Sequence, residues 1–364
     1  MIKMLAGILF IFSACMSTGC TFNDPVNAEA DILSATLSGD VLKTDPQIGN
    51  DQVILLVKQE TDVTALAPEF VLTPGASISP ASGTARDFTR SQTYTVTSEN
   101  GVWQKEYTVM ATDKGITRAL NFENSEIKSG YYVFYELDEN GEKQYIWATG
   151  NAGYSFMFPK DADSYPTVHV DNGHTGKAVK LQTLAMSKLI GMMSGIYLIP
   201  GNLYIGTFDA GKVMTDPMNA TRFGLPCEFI PTEITGYYTY APGEKFMDEK
   251  NKEVAGKKDT FSICAVVYET DNETSYLNGH DLLTNPNIVA MAEMPDSQKK
   301  ITDQWTRFEI PFRRIPGKTV DPQKLAAGGY NLALVFTSSA EGDQYRGAVG
   351  STLVIDDVRL IRED

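Results

Sequence analysis

Two Asn-Gly dipeptides set among alternating runs constrain this chain more than any other feature. Glu99-Asn100-Gly101 separates Thr93-Tyr94-Thr95-Val96-Thr97 from Trp103-Gln104-Lys105-Glu106-Tyr107-Thr108-Val109. Asn-Gly in that position is the strongest short-range hairpin signal, because both residues tolerate the positive φ of a tight turn. Glu139-Asn140-Gly141 repeats the signal after the strand-like run at residues 131–137. Further runs at 178–183, 195–199, 233–240, 261–268, 306–312 and 330–337 are separated by Gly, Pro and Asn, and helical periodicity is almost absent. Only residues 184–191 leave a short helix open as an alternative to a loop. The chain is therefore expected to be all-β.

The strands fall into two groups joined by Asp113-Lys114-Gly115. Residues 31–113 carry about seven short strands, the density of an immunoglobulin-like β-sandwich. Trp103, Lys105, Tyr107 and Val109 share a face there, and Trp103 is expected in the core. Residues 119–364 carry eight or more strands with long loops, which indicates a larger jelly-roll β-sandwich. No blade-length repeat supports a propeller. The joint is short, so little freedom between the domains is expected.

The last strand, Ser351-Thr352-Leu353-Val354-Ile355-Asp356-Asp357-Val358-Arg359-Leu360-Ile361, contains an anomaly. Simple alternation puts Val354, Asp356, Val358 and Leu360 on one face and Leu353, Ile355, Asp357 and Arg359 on the other. Asp356 then interrupts an apolar face, where a carboxylate must be hydrogen-bonded, paired or bound to a cation.

The N-terminus reads as an export signal. Lys3 precedes the apolar run Met4-Leu5-Ala6-Gly7-Ile8-Leu9-Phe10-Ile11-Phe12, which is too short to span a bilayer. Ser13-Ala14-Cys15 and Ser17-Thr18-Gly19-Cys20 both resemble a bacterial lipobox, and the distance to the first folded segment favours Cys20 over Cys15. Residues 1–19 are then a lipoprotein signal peptide and residues 20–30 a tether. Cys227 and Cys264 remain, as two thiols or as one disulfide. Asp plus Glu is 46 against 31 for Lys plus Arg, a net charge of -15. An acidic chain without a basic run has no electrostatic footprint for nucleic acid.

Several segments carry a family resemblance. Leu120-Asn121-Phe122-Glu123, His174-Thr175-Gly176-Lys177-Ala178-Val179-Lys180-Leu181, Trp305-Thr306-Arg307-Phe308-Glu309-Ile310-Pro311-Phe312 and Ile355-Asp356-Asp357-Val358 resemble carbohydrate-binding jelly rolls. With Trp147-Ala148-Thr149-Gly150-Asn151-Ala152-Gly153-Tyr154, Thr337-Ser338-Ser339-Ala340-Glu341-Gly342-Asp343 and Gly347-Ala348-Val349-Gly350-Ser351, the whole chain resembles the Bacteroidetes putative carbohydrate metabolism domain lipoproteins with an N-terminal Ig-like module. The resemblance implies neighbouring first and last strands, with Glu123 and Asp356 holding a structural calcium beside carbonyls of the 174–176 loop. Oxygen ligands suit that ion. It also implies an outer-membrane, lipid-anchored protein on the periplasmic or cell-surface face, with a polysaccharide or oligosaccharide partner and outer-membrane proteins as further partners.

Sugar binding requires flat aromatic faces rimmed by polar groups. Trp147, Asn151 and Tyr154 in a Gly-rich loop are candidates, with packing as the alternative for Trp147. In Tyr237-Tyr238-Thr239-Tyr240, Tyr238 is a further candidate and at least one face is core. Trp305 is expected in the core. Glu269-Thr270-Asp271-Asn272-Glu273 has the E-x-D-x-E form of some jelly-roll β-glucanases. Positions i and i+4 on a strand lie about 13 Å apart, however, and the polar residues around them indicate an acidic loop. His169, His174 and His280 lack zinc spacing. The expectation is a glycan-binding or glycan-handling protein without catalysis. A glycoside hydrolase and an adhesion or assembly component are the alternatives.

Overall fold

The computed structural model describes residues 27–113, 115–138, 141–213 and 215–362. The signal peptide, Cys15, Cys20, the start of the tether and Asn140 lie outside the described residues.

The N-terminal domain is a β-sandwich. Strands Gln47–Ile48, Gln52–Leu56, Gln104–Thr112, Gln92–Thr97 and Ser77–Ser79 form one sheet in that order, and the second and third run parallel. Ile32–Thr36 pairs with Glu69–Leu72 in the facing sheet. Val53, Leu55, Tyr94, Val96, Tyr107, Val109 and Phe70 interdigitate between them. The Asn100-Gly101 hairpin forms, with Thr97 opposite Gln104. Trp103 is not in this core, because the pairing stops at Gln104, and its ring overhangs the end of the sandwich at 61% exposure.

The C-terminal domain packs a six-stranded sheet on an eight-stranded one. Side chains from both inner faces, among them Leu181, Leu203, Ile234, Tyr238, Phe261, Phe308, Leu334 and Leu353, form one core. Each such side chain contributes about 1.5–3 kcal/mol by leaving water. Strand Asn202–Phe208 and strand Ile288–Glu293 belong to the eight-stranded sheet. The segment open to helix or loop contains the helix Lys188–Ser194, capped by Ser187 and ended by left-handed Gly195.

The last strand, Thr352–Ile361, sits inside the six-stranded sheet. It pairs with Ala178–Gln182, with Glu233–Ala241 and with the first short strand, Leu120 opposite Val358. The alternation expected for it breaks at a β-bulge. Asp357 takes φ 50°, and the register against the neighbouring strand shifts between Thr235 and Tyr237. The extra residue flips the parity. Leu353, Ile355, Val358 and Leu360 therefore all enter the core, while Asp356 shares the outer face with Tyr237.

Ile54 and Met110 of the first domain pack into the core cluster of the second. Lys43 bridges to Glu228 and donates to Asp113 O at 2.7 Å, and Arg222 Nη1 donates to Ile48 O at 3.2 Å. The joint is thus reinforced by an apolar contact and two side-chain clamps. Cys227 and Cys264 are free and buried, and burial pushes both thiols up to about 12.

Candidate functional site

The four residues expected to touch sugar lie inside the protein. Trp147 is 3% exposed, packed on Phe122 and Phe336, and donates Nε1–H to Glu136 Oε1 at 2.9 Å. Its neighbours form a short strand beside Ile205, not an open loop, which removes it as a platform. Asn151 is fully buried and bridges to strand Thr167–Val170 through Thr167 O and Thr167 N. Tyr154 packs on Tyr165, and Tyr238 is buried with its hydroxyl between Gln298 O and Lys300 N. All four are supports of the fold.

The E-x-D-x-E segment runs off its strand. Glu269 ends strand Ser262–Glu269 and pairs with Lys324 at 2.7 Å. The Asp271 carboxylate closes a turn, accepting from Glu273 N, Thr274 N and Asn287 Nδ2. Glu273 is exposed. Glu269 and Asp271 are taken up by their own partners and Glu273 faces solvent, so the segment is an acidic loop.

Of the outer faces of this domain, that of the eight-stranded sheet is covered by the chain's own loops. Ala220, Phe223 and Leu277 close over Tyr204, Val266, Tyr268, Ile288 and Ala333 in a second core. His280 Nε2 meets Asp216 Oδ1 at 3.0 Å and holds the covering loops to one another. His169 is a strand residue whose Nδ1 pairs with Ser125 Oγ.

The outer face of the six-stranded sheet is where aromatic rings reach solvent. Tyr237 lies opposite Arg307, and Trp305 precedes Arg307 by two positions on the same face. The His174 ring stacks on Tyr237 with centroids 3.7 Å apart and planes at 11°, and meets Trp305 edge-on at 6.0 Å. His174 Nδ1 lies 2.7 Å from Asp357 Oδ2, so the bulge that flips the strand also fixes the imidazole. Arg307 and Glu309 form an exposed ion pair at the rim. Both Tyr237 and Trp305 are partly exposed. Trp305 was expected in the core and is instead partly exposed; the signal for this was its shared parity with Arg307 and Glu309, opposite Phe308 and Ile310.

Beneath His174 lies the loop that explains Asp356. Thr175 N donates to Asp356 Oδ2 at 2.9 Å, Asp357 N donates to Asp356 Oδ1 at 2.7 Å, and Lys177 N donates to Glu123 Oε1 at 3.1 Å. Burial pushes the Asp356 carboxyl up to about 6, against these donors. Gly176 has φ 66°, and a Cβ there would collide with the Glu123 carboxylate. The acids at the two ends of the domain therefore grip one loop.

A second buried acid, Asp259, was not anticipated. Its Oδ2 accepts from Ser339 Oγ at 2.6 Å, Ala348 N at 2.7 Å and Ser351 Oγ at 2.7 Å. Thr183 Oγ1 extends this network to Ser338 and Ser339. The network accounts for the Ser338-Ser339 and Gly347–Ser351 motifs as structural.

The second domain is a two-sheet β-sandwich with an aromatic outer face, and sequence comparison places it among carbohydrate-related domains. The family described as Putative carbohydrate metabolism domain matches residues 121–361, and that described as SGBP, N-terminal matches residues 32–111. The chain belongs to the putative carbohydrate metabolism domain family, with the N-terminal domain of Bacteroidetes glycan-binding proteins in front. A crystal structure from Bacteroides thetaiotaomicron, described as a putative glycoside hydrolase, is 47% identical with a TM-score of 0.87, covering 94% of this chain and 99% of that one. Another from Bacteroides vulgatus, described in the same words, is 37% identical with a TM-score of 0.62, covering 69% of this chain and 100% of that one. A search of curated proteins returned no match.

Proposed function

We propose that the protein is an exported, lipid-anchored glycan-binding protein that holds a polysaccharide on the open face of the six-stranded sheet. The observation that carries this reading is the contiguous, partly exposed group of Tyr237, His174 and Trp305, rimmed by Arg307 and Glu309. Flat rings take the apolar faces of pyranose rings, and Arg and Glu bond their hydroxyls. The surface is supported on strands and on a loop clamped by two acids, so little ordering is needed on binding. Affinity electrophoresis across plant, fungal and host polysaccharides tests it. Retention by at least one is expected, with Trp305→Ala and Tyr237→Ala each weakening it about tenfold or more. Retention unchanged in both variants would remove the face as the site.

The family match at residues 32–111 supports placement at the cell surface. Among the described residues no helix is long and apolar enough to cross a membrane. Anchoring then rests on a lipidated Cys20. Radiolabelled palmitate should enter the wild type and not Cys20→Ala, and label lost only in Cys15→Ala would move the anchor.

The 173–177 loop suits a calcium ion. Glu123 and Asp356 both grip this loop, through Lys177 N and Thr175 N, and the two carboxylates with loop carbonyls would supply the ligands. The donor set is all oxygen, as calcium prefers. EDTA should lower the melting temperature, and Asp356→Asn should abolish that response. Melting identical with and without EDTA would remove the ion.

Two related chains are described as putative glycoside hydrolases. In this chain Glu269 and Asp271 are engaged by Lys324 and by a turn with Asn287, so any hydrolysis should survive Glu269→Ala and Glu273→Ala.

A further inference from the structure

The first domain leaves two large apolar side chains in water at one end. Val102 is 71% exposed and Trp103 61%. They follow the Asn100-Gly101 turn and precede Gln104, where the pairing to Thr97 begins, so no strand carries them into the core. The tip that bears them is closed on itself. Ser98 N donates to Trp103 O at 2.9 Å, and Gly101 N to Ser98 O at 2.8 Å. Asn100 Oδ1 accepts from Val102 N at 2.9 Å, and Ser98 Oγ accepts from Trp103 N at 3.0 Å. Asn100 N donates to Asn27 O at 3.4 Å. Glu99 is the one charged residue from 99 to 103, and its carboxylate accepts from Asn27 N at 2.9 Å. A turn whose N–H groups are already bonded can leave bulk water without opening a donor.

The same tip is where the chain arrives from its anchor. Asn27 is held there by residues 99 and 100, and its Nδ2 donates to Pro74 O at 3.3 Å. It stands seven residues after Cys20. Whatever path they take, seven steps span at most about 25 Å. With Cys20 acylated, Val102 and Trp103 are thus kept close to the membrane surface. Tryptophan suits that surface, with its ring in the apolar boundary and its N–H bonded to headgroups. A net charge of -15 removes attraction to anionic lipid as the driving force. Apolar contact with the bilayer carries the association.

We infer that this hairpin tip is a membrane contact, with Val102 and Trp103 entering the headgroup–acyl boundary of the bilayer that holds the anchor. The inference rests on the lipid-anchored part of the proposed function and is independent of the sugar site. A lipid anchor fixes one point and leaves the protein free to turn about its tether. A second contact fixes the axis of the first domain. The clamps of Lys43 and Arg222 pass that orientation to the second domain, so the aromatic sheet face is held in one attitude to the membrane.

The mature chain from Cys20, coupled through that thiol to a maleimide phospholipid in phosphatidylcholine vesicles, tests this whether or not the cell acylates Cys20. Burial of Cys227 and Cys264 leaves Cys20 as the thiol that reacts. Tryptophan emission is compared between vesicles with plain and with brominated acyl chains. Subtracting the Trp103→Ala spectrum removes the signal of Trp147 and Trp305. The difference emission is expected to fall about twofold or more in brominated vesicles, as for a ring at the acyl boundary. Val102→Asp keeps Trp103 but brings a charge to the boundary, and should abolish the quenching with the melting temperature unchanged. Equal difference emission in the two kinds of vesicle overturns the inference, as does quenching that survives Val102→Asp. Trp103 unquenched in lipid, but shielded from iodide once outer-membrane proteins are added, overturns it in favour of a protein partner. Palmitate labelling reads the anchor separately, so a chain that is not acylated and a tip that does not insert give different results.

Discussion

Glu136 should make the protein less stable as pH rises from 4.5 to about 7. Its carboxyl is 3% exposed and accepts Trp147 Nε1–H at 2.9 Å. The backbone N–H groups of Asn121 and Phe122 add to this, yet burial outweighs them and pushes the group from 4.5 up to about 7. The folded state therefore keeps its proton between pH 4.5 and 7 while the unfolded chain has released it. Stability contributed by this group is intact below the unfolded value and falls as pH rises through the window. At about 1.4 kcal/mol for each pH unit of separation, the loss by pH 8 is about 3 kcal/mol. Urea unfolding followed by tryptophan fluorescence from pH 4 to 8 measures it, with Glu136→Gln as reference. The amide offers one acceptor fewer to three donors, so the variant carries a constant offset of about 1–2 kcal/mol. The wild-type-minus-variant difference should nevertheless slide by about 3 kcal/mol across the range. A difference flat to within about 0.5 kcal/mol would show that the carboxyl titrates alike in both states.

Asp259→Ala should cost at least about 3 kcal/mol in the same assay, because three buried donors lose their acceptor; a cost under about 1 kcal/mol would mean the network repacks. Gly173→Ala should destabilise by about 1–3 kcal/mol, since its Cβ would sit 2.6 Å from both Asp356 Oδ2 and Lys177 O, and an unchanged melting temperature would refute the tight fit. Cys227 and Cys264 should resist a thiol reagent in the native protein and react after unfolding; fast native labelling of either would contradict their burial.

The all-β class and the two sandwiches were legible because period-two alternation and Asn-Gly turns are local signals. Where locality fails, so does the reading. Strand Asn202–Phe208 was missed because every position but its first is buried, so it does not alternate, and Gly206 interrupts the run. That glycine, at φ 148°, is where the backbone of Arg222 approaches too closely for any side chain. Strand Ile288–Glu293 contains two alanines and a methionine, and tertiary burial outweighs their weak β preference. The parity of the last strand was misread for a third reason. A bulge adds one residue without changing composition, and only Asp357 at positive φ gives it away.

The buried acids show the same limit on the side of function. An inward carboxylate announces itself in an apolar run, but its partners do not. Asp356 is answered by Thr175 from 181 residues away, and Asp259 by Ala348 from 89. Asp356 is answered by backbone N–H groups and Asp259 by one beside two serine hydroxyls, and a backbone N–H, which every residue type but proline supplies, leaves no side-chain pattern to nominate it. The acids that finish with partners hold loops, as Asp356 and Glu123 hold the one beneath His174.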